Sequence, residues 1–155
     1  MSFEISKALE REIEEILKKY PNKDAALLPI LHAAQDEHGY VSKNVMVQIG
    51  KRLGISYAKI KGVATFYTMY NKKPVGEYHI QVCRNIACHL RGSVAIMDTV
   101  KEALDIEIGE TKGKFTLTAV ECLGACGTAP VMQINNDYHE NLTEEKVKEI
   151  LKSLK

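Results

Sequence analysis

The sequence lacks the patterns that would carry a chain into or across a membrane. Its 155 residues contain no apolar run near the about 18–20 residues that a membrane-spanning helix needs. The first residues, Met1-Ser2-Phe3-Glu4, lack the charged and then apolar layout of a secretion signal, and the segment carries too many acids for a transit peptide. We therefore expect a cytosolic protein whose thiols stay reduced.

Two further absences limit the chemistry that this chain can perform alone. There is no Gly-x-Gly-x-x-Gly and no P-loop, so nothing predicts a nucleotide site. There is also no Cys-x2-Cys pair, which argues against thioredoxin-style dithiol exchange. The length allows one domain or two small ones, and the apolar content of 45% and charged content of 26% are ordinary for a globular protein.

Acidic residues are missing from the middle of the chain. Residues 41–76, which we call the basic block, carry seven lysines and arginines and no Asp or Glu. The segments on either side each carry a net charge of −3, which leaves the chain at +1. The basic block predicts a contact surface for something negatively charged, and an ordinary solvated face is the alternative.

The first half has helical periodicity throughout. Apolar residues recur at three- and four-residue spacing over 5–20, and a second helix is expected over about 24–38. Ser42 and Ser56 are predicted to cap a third and a fourth helix through their hydroxyls. Pro29 is harmless only if the second helix starts near Ala26, because it otherwise removes a backbone hydrogen bond.

The second half alternates strand and helix. Strands are expected over 78–82 and 115–120, with apolar residues at helical spacing over 90–104 between them. Residues 131–140 have the pattern of a hairpin, and Thr143 is predicted to cap a last helix. This order predicts a small α/β sandwich with helices packed on a sheet of about four strands.

The turn-rich segment Asn71–Gly76 is the expected boundary between two domains. Residues 1–72 are predicted to form an N-terminal helical bundle. Residues 73–155 are predicted to form the α/β domain, with about four strands and two helices. The fold class that follows is α+β.

All four cysteines lie in the second half, in two pairs. Cys83 and Cys88 have the spacing Cys-x4-Cys, and after a gap of 33 residues Cys122 and Cys126 have the spacing Cys-x3-Cys. Both pairs follow a predicted strand, which favours one tetrathiolate metal site over four separately buried thiols or disulfides in a cytosolic chain. The spacing leaves structural zinc and a 2Fe–2S cluster both open.

The neighbours of the cysteines favour the cluster slightly. Three glycines let backbone N–H groups approach sulfur atoms, namely Gly92, Gly124 and Gly127. Arg84 and Arg91 are near enough in sequence to offset a negative cluster, and each is equally an ordinary surface arginine. His89 follows a cysteine directly, but four thiols complete the ligand set, so we expect it to be a solvated or packing residue.

Two longer motifs resemble those of the thioredoxin-like 2Fe–2S ferredoxin family. They are VCRNIACHLRG at 82–92 and ECLGACGTAPV at 121–131. The helical half adds QDEHGYV at 35–41 and GVATFY at 62–67, so the resemblance covers nearly the whole chain. Within the family, the sequence is most similar to the E subunit of NADH:quinone oxidoreductase (complex I) and its relatives in NAD-linked hydrogenases and formate dehydrogenases.

The resemblance implies an electron carrier without an active site of its own. Its cofactor would be one 2Fe–2S cluster, with Cys83 and Cys88 on one iron and Cys122 and Cys126 on the other. The second domain would then have a thioredoxin-like fold. The chain would serve as a non-catalytic subunit of an NADH dehydrogenase, or alternatively of an NAD(P)-linked hydrogenase or formate dehydrogenase.

The same resemblance implies the partners. The cluster would exchange electrons with the FMN of a flavin- and NADH-binding subunit, and FMN and NAD would be bound only there. The helical domain would dock on that subunit, with the basic block as the candidate interface. A further iron–sulfur subunit is expected, with neither nucleic acid nor direct membrane insertion. The protein would be cytoplasmic and peripheral to the membrane through its complex.

A different class of function has two supporting features. Residues 49–60 resemble a helix-turn-helix, and the local positive charge suits phosphate binding. The second helix of this segment offers Tyr57, Lys59 and Lys61, but no Asn, Gln or Arg for reading bases. A cluster-containing, DNA-binding redox sensor is therefore the distant alternative.

Overall fold

The computed structural model describes residues 4–154, and the chain divides after Pro74 into two compact units. The first unit is helical, and the second combines helices with a sheet. No helix in the described part of the chain has both the length and the apolar character that crossing a bilayer requires.

Each helix of the first unit begins at a side-chain cap. Among the described residues its α-helices are α1 (Lys7–Lys19), α2 (Lys23–His38), α3 (Lys43–Leu53) and α4 (Tyr57–Phe66). Oxygen atoms of Ser6, Asn22, Ser42 and Ser56 each accept a hydrogen bond from a backbone N–H of the first turn. The predicted caps at Ser42 and Ser56 are confirmed.

Pro29 lies in the body of α2, because this helix begins at Lys23 rather than near Ala26. Proline has no N–H, so the carbonyl group of Ala25 loses the donor that would normally lie four residues further on. The helix nevertheless continues beyond the proline, with buried apolar residues on both sides of it. Packing of this apolar face therefore outweighs the missing hydrogen bond.

The first unit has its own hydrophobic core, which ends at Tyr70. The ring of Tyr70 is fully buried, its hydroxyl donates to the carbonyl oxygen of Leu28 at 2.8 Å, and burial raises its pKa to about 12. This contact fixes the segment after α4 against α2. The other large, fully buried side chains of this core are Leu9, Ile13, Leu27, Ile30, Leu31, Ile49, Leu53 and Ile60.

The second unit is built around one mixed sheet. Its strands are β1 (Tyr78–Cys83), β2 (Thr111–Lys112), β3 (Phe115–Val120), β4 (Met132–Ile134) and β5 (Asp137–His139). They are arranged in the order β2-β3-β1-β4-β5, and the central strand β1 runs parallel to β3 and antiparallel to β4. The strand β2 was not among the predicted strands, because two residues are too few to show an alternating pattern.

The helix expected over 90–104 is two helices in the structure. Helix α5 (Ile86–Leu90) ends before Gly92, whose φ of +93° interrupts the helical path, and α6 (Ser93–Leu104) begins after it. Leu90 is 77% exposed and Val94 52% exposed, so the predicted apolar stripe is wrong at these two positions. The last helix, α7 (Glu144–Ser153), begins at the predicted cap Thr143.

The sheet has two chemically different faces. Residues of the first face form a core with α6 and α7, and they include Ile80, Val82, Leu117, Met132 and Ile134. Because side chains alternate along a strand, His79 and Gln81 belong to the opposite face. There the His79 Nε2 lies 2.8 Å from Thr118 Oγ1. One face is therefore apolar and packed, and the other is polar and half-buried.

Candidate functional site

The parallel pair β1 and β3 brings both cysteine segments to one edge of the sheet. Cys83 is the last residue of β1 and lies opposite Val120, the last residue of β3. Cys122 follows Val120 by two residues, and the Cys83 Sγ lies 4.0 Å from the carbonyl oxygen of Glu121. The carboxyl ends of parallel strands meet at the same edge, so the fold explains why distant cysteines converge.

Cys88 is carried to the same edge by α5. Asn85 begins this helix by accepting a hydrogen bond from the N–H of Ile86 at 2.9 Å. Cys83 and Cys88 are both buried, in a small apolar cluster with Ala129 and Val131. These two thiols therefore form the enclosed side of the candidate site.

The pKa of the Cys88 thiol depends on two of the other three cysteines. Burial and the neighbouring thiols of Cys83 and Cys126 together raise the pKa of the Cys88 thiol to about 11, and burial is the largest cause. The free thiol of Cys88 is therefore protonated at neutral pH. Binding a metal would replace that proton, since thiolate is the form that binds metals.

Cys122 and Cys126 form the exposed side of the site. The N–H of Gly124 donates to the Sγ of Cys122 at 3.3 Å, and Gly124 has a φ of +75°, which favours glycine. This glycine therefore does what the sequence predicts, because its backbone approaches a cysteine sulfur. Cys126 begins a single turn of 3₁₀ helix that includes Gly127.

Among residues 4–154, no group of three or more His, Cys, Asp or Glu side chains surrounds a point where one metal ion could bind. The four thiols thus share one edge of the sheet without closing on a single point. An iron–sulfur cluster with two irons takes two thiolates per iron and bridges the irons with sulfide. A donor set of two soft thiols in each of two segments fits such a group.

Two contacts at this edge are not evident from the sequence. Arg84 forms an ion pair with Glu121, and the hydroxyl of Tyr138 donates to the carbonyl oxygen of Leu123 at 3.1 Å. Arg84 was a candidate for offsetting cluster charge, but its charge is already paired with a carboxylate. The sequence indicates this ion pair only through the position of its two residues next to cysteines: Arg84 follows Cys83, and Glu121 precedes a cysteine of the other segment.

His89 and the outward face of α5 are solvent-exposed. Ile86 and Leu90 lie four residues apart on this helix, hence on one side of it, and both are among the exposed large apolar residues. Helix α5 therefore presents Cys88 inward and apolar side chains outward.

The basic block is only partly neutralised within the first unit. Arg52 pairs with Glu10 of α1 at 2.5 Å, and Lys59 pairs with Asp24 of α2 at 2.7 Å. Among the described residues, the other five basic side chains of the block form no ion pair, namely Lys43, Lys51, Lys61, Lys72 and Lys73. Most of the local positive charge therefore remains available to an external partner.

Comparisons with known proteins agree on one family. The model of the family described as "Thioredoxin-like [2Fe-2S] ferredoxin" matches residues 13–155. The chain is 49% identical over 147 residues to the NADH-quinone oxidoreductase E subunit of Rickettsia bellii, covering 92% of this chain and 88% of that protein. It is 40% identical over 149 residues to the NADH-quinone oxidoreductase E 2 subunit of Rhizobium meliloti, covering 95% and 89%.

Among solved structures, an NAD+-reducing [NiFe]-hydrogenase in the air-oxidised state has the same fold over most of this chain. The TM-score is 0.71 with 20% sequence identity, over 83% of this chain. The match spans 22% of that hydrogenase chain.

Proposed function

Because the chain belongs to the thioredoxin-like [2Fe-2S] ferredoxin family, we propose that it is the iron–sulfur electron-transfer subunit of an NADH:quinone oxidoreductase of the complex I type. The observation that carries this proposal is the similarity to E subunits of that complex, at 49% identity over 92% of the chain for the Rickettsia bellii protein. The chain is a non-catalytic, electron-carrying subunit, and its cofactor is one 2Fe–2S cluster.

In our proposal Cys83 and Cys88 hold one iron and Cys122 and Cys126 hold the other. The bound cluster would supply one-electron transfer. Apolar packing around the first pair excludes water from one side of the site. The second pair is exposed, so the side on which electrons enter and leave is the segment that contains Cys122 and Cys126.

We further propose that the electron-exchange partner is a subunit that binds FMN and NADH. The protein has no nucleotide motif of its own, which agrees with a flavin and a nicotinamide bound elsewhere. Residues 1–72 would dock on that subunit and residues 73–155 would hold the cluster. A further iron–sulfur subunit would receive or supply electrons within the same complex.

An NAD(P)-linked hydrogenase or formate dehydrogenase is the alternative complex. The shared fold with the NAD+-reducing hydrogenase supports a related role. Sequence identity favours the quinone-reducing complex, since the E-subunit relatives are 40% and 49% identical and the hydrogenase is 20% identical. The DNA-binding alternative rests on the helix-turn-helix resemblance of residues 49–60 and on the local positive charge, and salt-dependent binding of duplex DNA would be needed to revive it.

The deciding experiment combines cofactor analysis with electron transfer. The purified chain should contain about two irons and two sulfides per molecule. NADH should reduce its cluster only when an NADH-oxidising flavoprotein of the complex is added, as followed by the EPR signal of the reduced cluster. A colourless, zinc-containing protein would overturn the cofactor, and a cluster that the flavoprotein cannot reduce would overturn the partner.

A further inference from the structure

The end of α4 carries an exposed apolar patch in the middle of the basic block. Phe66 is 77% exposed, Met69 is 41% exposed and Tyr67 is 37% exposed. The Phe66 and Tyr67 rings contact each other edge to face, with centroids 5.0 Å apart, and Tyr67 contacts the buried Tyr70 in the same way at 6.4 Å. The patch is therefore held on a rigid base while its apolar surface faces solvent.

Gly62, one helical turn before Phe66, extends this patch along α4. Residues four apart lie on the same side of a helix, so Gly62 and Phe66 are neighbours on one face. Glycine inside a helix destabilises it relative to alanine. Gly62 has no positive φ, and a Cβ atom built there would have nothing within 4 Å. The protein's own packing and backbone therefore do not require glycine here.

The absence of a side chain at Gly62 leaves room for another chain to approach this face of α4 closely. The hydroxyl of the exposed Thr65 donates to the carbonyl oxygen of Lys61 at 2.8 Å. This hydroxyl proton therefore already has an acceptor within α4 and needs none from a partner. Gly62 thus leaves the helix surface without a side chain beside the exposed Phe66, and a ridge of side chains on another helix can pack against such a position.

The charge around this surface identifies the chemistry of the partner. Lys61, Lys72 and Lys73 form no ion pair among the described residues, and residues 41–76 contain no acid. A second copy would bring the unpaired lysines of the two surfaces together, which disfavours that contact. An acidic surface would be attracted, and it would gain apolar burial at the centre of the contact.

We propose that the surface formed by Gly62, Phe66, Tyr67 and Met69 binds a helix with an acidic rim on the flavin-binding subunit. Gly62 marks the point of closest approach, and Phe66 is the apolar anchor that inserts into the partner. This inference rests on the proposed function, which supplies the partner, and it names the surface and the mode of contact.

The test uses the full chain, loaded with its cluster, and the flavoprotein isolated with its FMN from the same complex. Gly62→Gln should weaken binding at least about tenfold while the isolated chain becomes more stable to heat, because glutamine is the better helix former. Phe66→Ala should weaken binding to a similar extent. The controls carry the same new residues at exposed positions elsewhere: Arg11→Gln in α1 matches the glutamine variant, and Tyr20→Ala at the C-cap of α1 matches the alanine variant. Both controls should bind the flavoprotein like the wild type.

Each outcome has a separate meaning. Wild-type affinity in both patch variants would overturn the docking surface and leave the proposed function intact, provided that the flavoprotein still reduces the cluster. A wild-type chain that does not bind the flavoprotein would overturn both. A change in the oligomeric state of the isolated chain, measured by sedimentation in Phe66→Ala alone, would assign the patch to a second copy and overturn the acidic partner.

Discussion

Arg84 and Glu121 join the two cysteine segments by an ion pair. The Arg84 Nε lies 3.0 Å from the Glu121 Oε1, and a second guanidinium nitrogen contacts the same oxygen. Arg84 directly follows Cys83 at the end of β1, and Glu121 directly precedes Cys122 after β3. The pair therefore couples the positions of one proposed ligand from each segment.

We expect Arg84→Gln to loosen the cofactor without unfolding the protein. Both side chains are exposed, and exposed ion pairs contribute little to overall stability. Residues that orient metal ligands commonly alter metal affinity by about tenfold or more. Iron should therefore be lost to a chelator about tenfold faster, as followed by the cluster's visible absorbance. Arg91→Gln, at a nearby exposed arginine, is the control, and equal rates in the two variants would contradict the prediction.

Cys122→Ala should abolish the cluster, because a two-iron cluster needs all four thiolates. The helical content of the first unit should remain, since its core contains no cysteine. Iron and sulfide analysis together with the EPR signal after dithionite reduction measure this outcome. His89→Ala should retain the full cluster. A normal signal in the cysteine variant, or a lost signal in the histidine variant, would show that the ligand set is wrong.

His79 should make stability fall in mildly acidic solution. Burial lowers the pKa of His79 below its ordinary value of 6.5, so the unfolded chain binds a proton more readily than the folded one. Its contribution is therefore complete above pH 6.5 and is lost as the pH falls through 6.5 towards the lower folded-state pKa. His79→Gln can keep a hydrogen bond to Thr118 and should reduce the difference in urea midpoint between about pH 7.5 and about pH 5.5. An unchanged difference would contradict this cause.

Tyr70→Phe should destabilise the first unit by about 1 kcal/mol, because it removes the hydrogen bond to the Leu28 carbonyl and keeps the buried ring. Tyr70→Ala removes the ring as well and should cost about 3–5 kcal/mol, the range for a large cavity. Urea unfolding followed by circular dichroism gives both values. Similar losses in the two variants would mean that the hydroxyl, not the ring, dominates.

A chain shortened to residues 75–155 should fold and bind its cluster but lose the flavoprotein. The two units have separate hydrophobic cores, and all four cysteines belong to the second. Iron content and circular dichroism test the first part, and affinity for the flavoprotein tests the second. Loss of iron binding would show that the cluster domain depends on residues 1–74, and unchanged affinity would place docking elsewhere.

Local signals allowed much of the fold to be predicted. The caps at Ser42, Ser56 and Thr143 follow from one side chain and the turn that comes directly after it, so the sequence contains the whole interaction. The break between α5 and α6 was missed because the spacing from Leu90 to Val94 looks continuous. Gly92 lies between them in the left-handed conformation and interrupts the helix. Because glycine adopts many conformations, its presence in the sequence does not by itself indicate this one.

The site was predictable as a set of residue types but not as an arrangement. Spacing identified the four cysteines, whereas the pairing of β1 with β3 in parallel decides that the two segments meet. That pairing joins strands more than thirty residues apart and depends on the whole core. The contacts of Arg84 with Glu121 and of Tyr138 with Leu123 also depend on this topology, so no local sequence pattern predicts them.

The central position of β1 gives the cofactor a second use, as a reporter of assembly. A slip of β1 by one residue would exchange its two faces, removing Ile80 and Val82 from the core and turning Cys83 away from its neighbours. With the ligands that we propose, a mispaired molecule would not hold the cluster. The visible absorbance of the cluster per chain would then set a lower limit on the fraction of molecules whose central strand is in register.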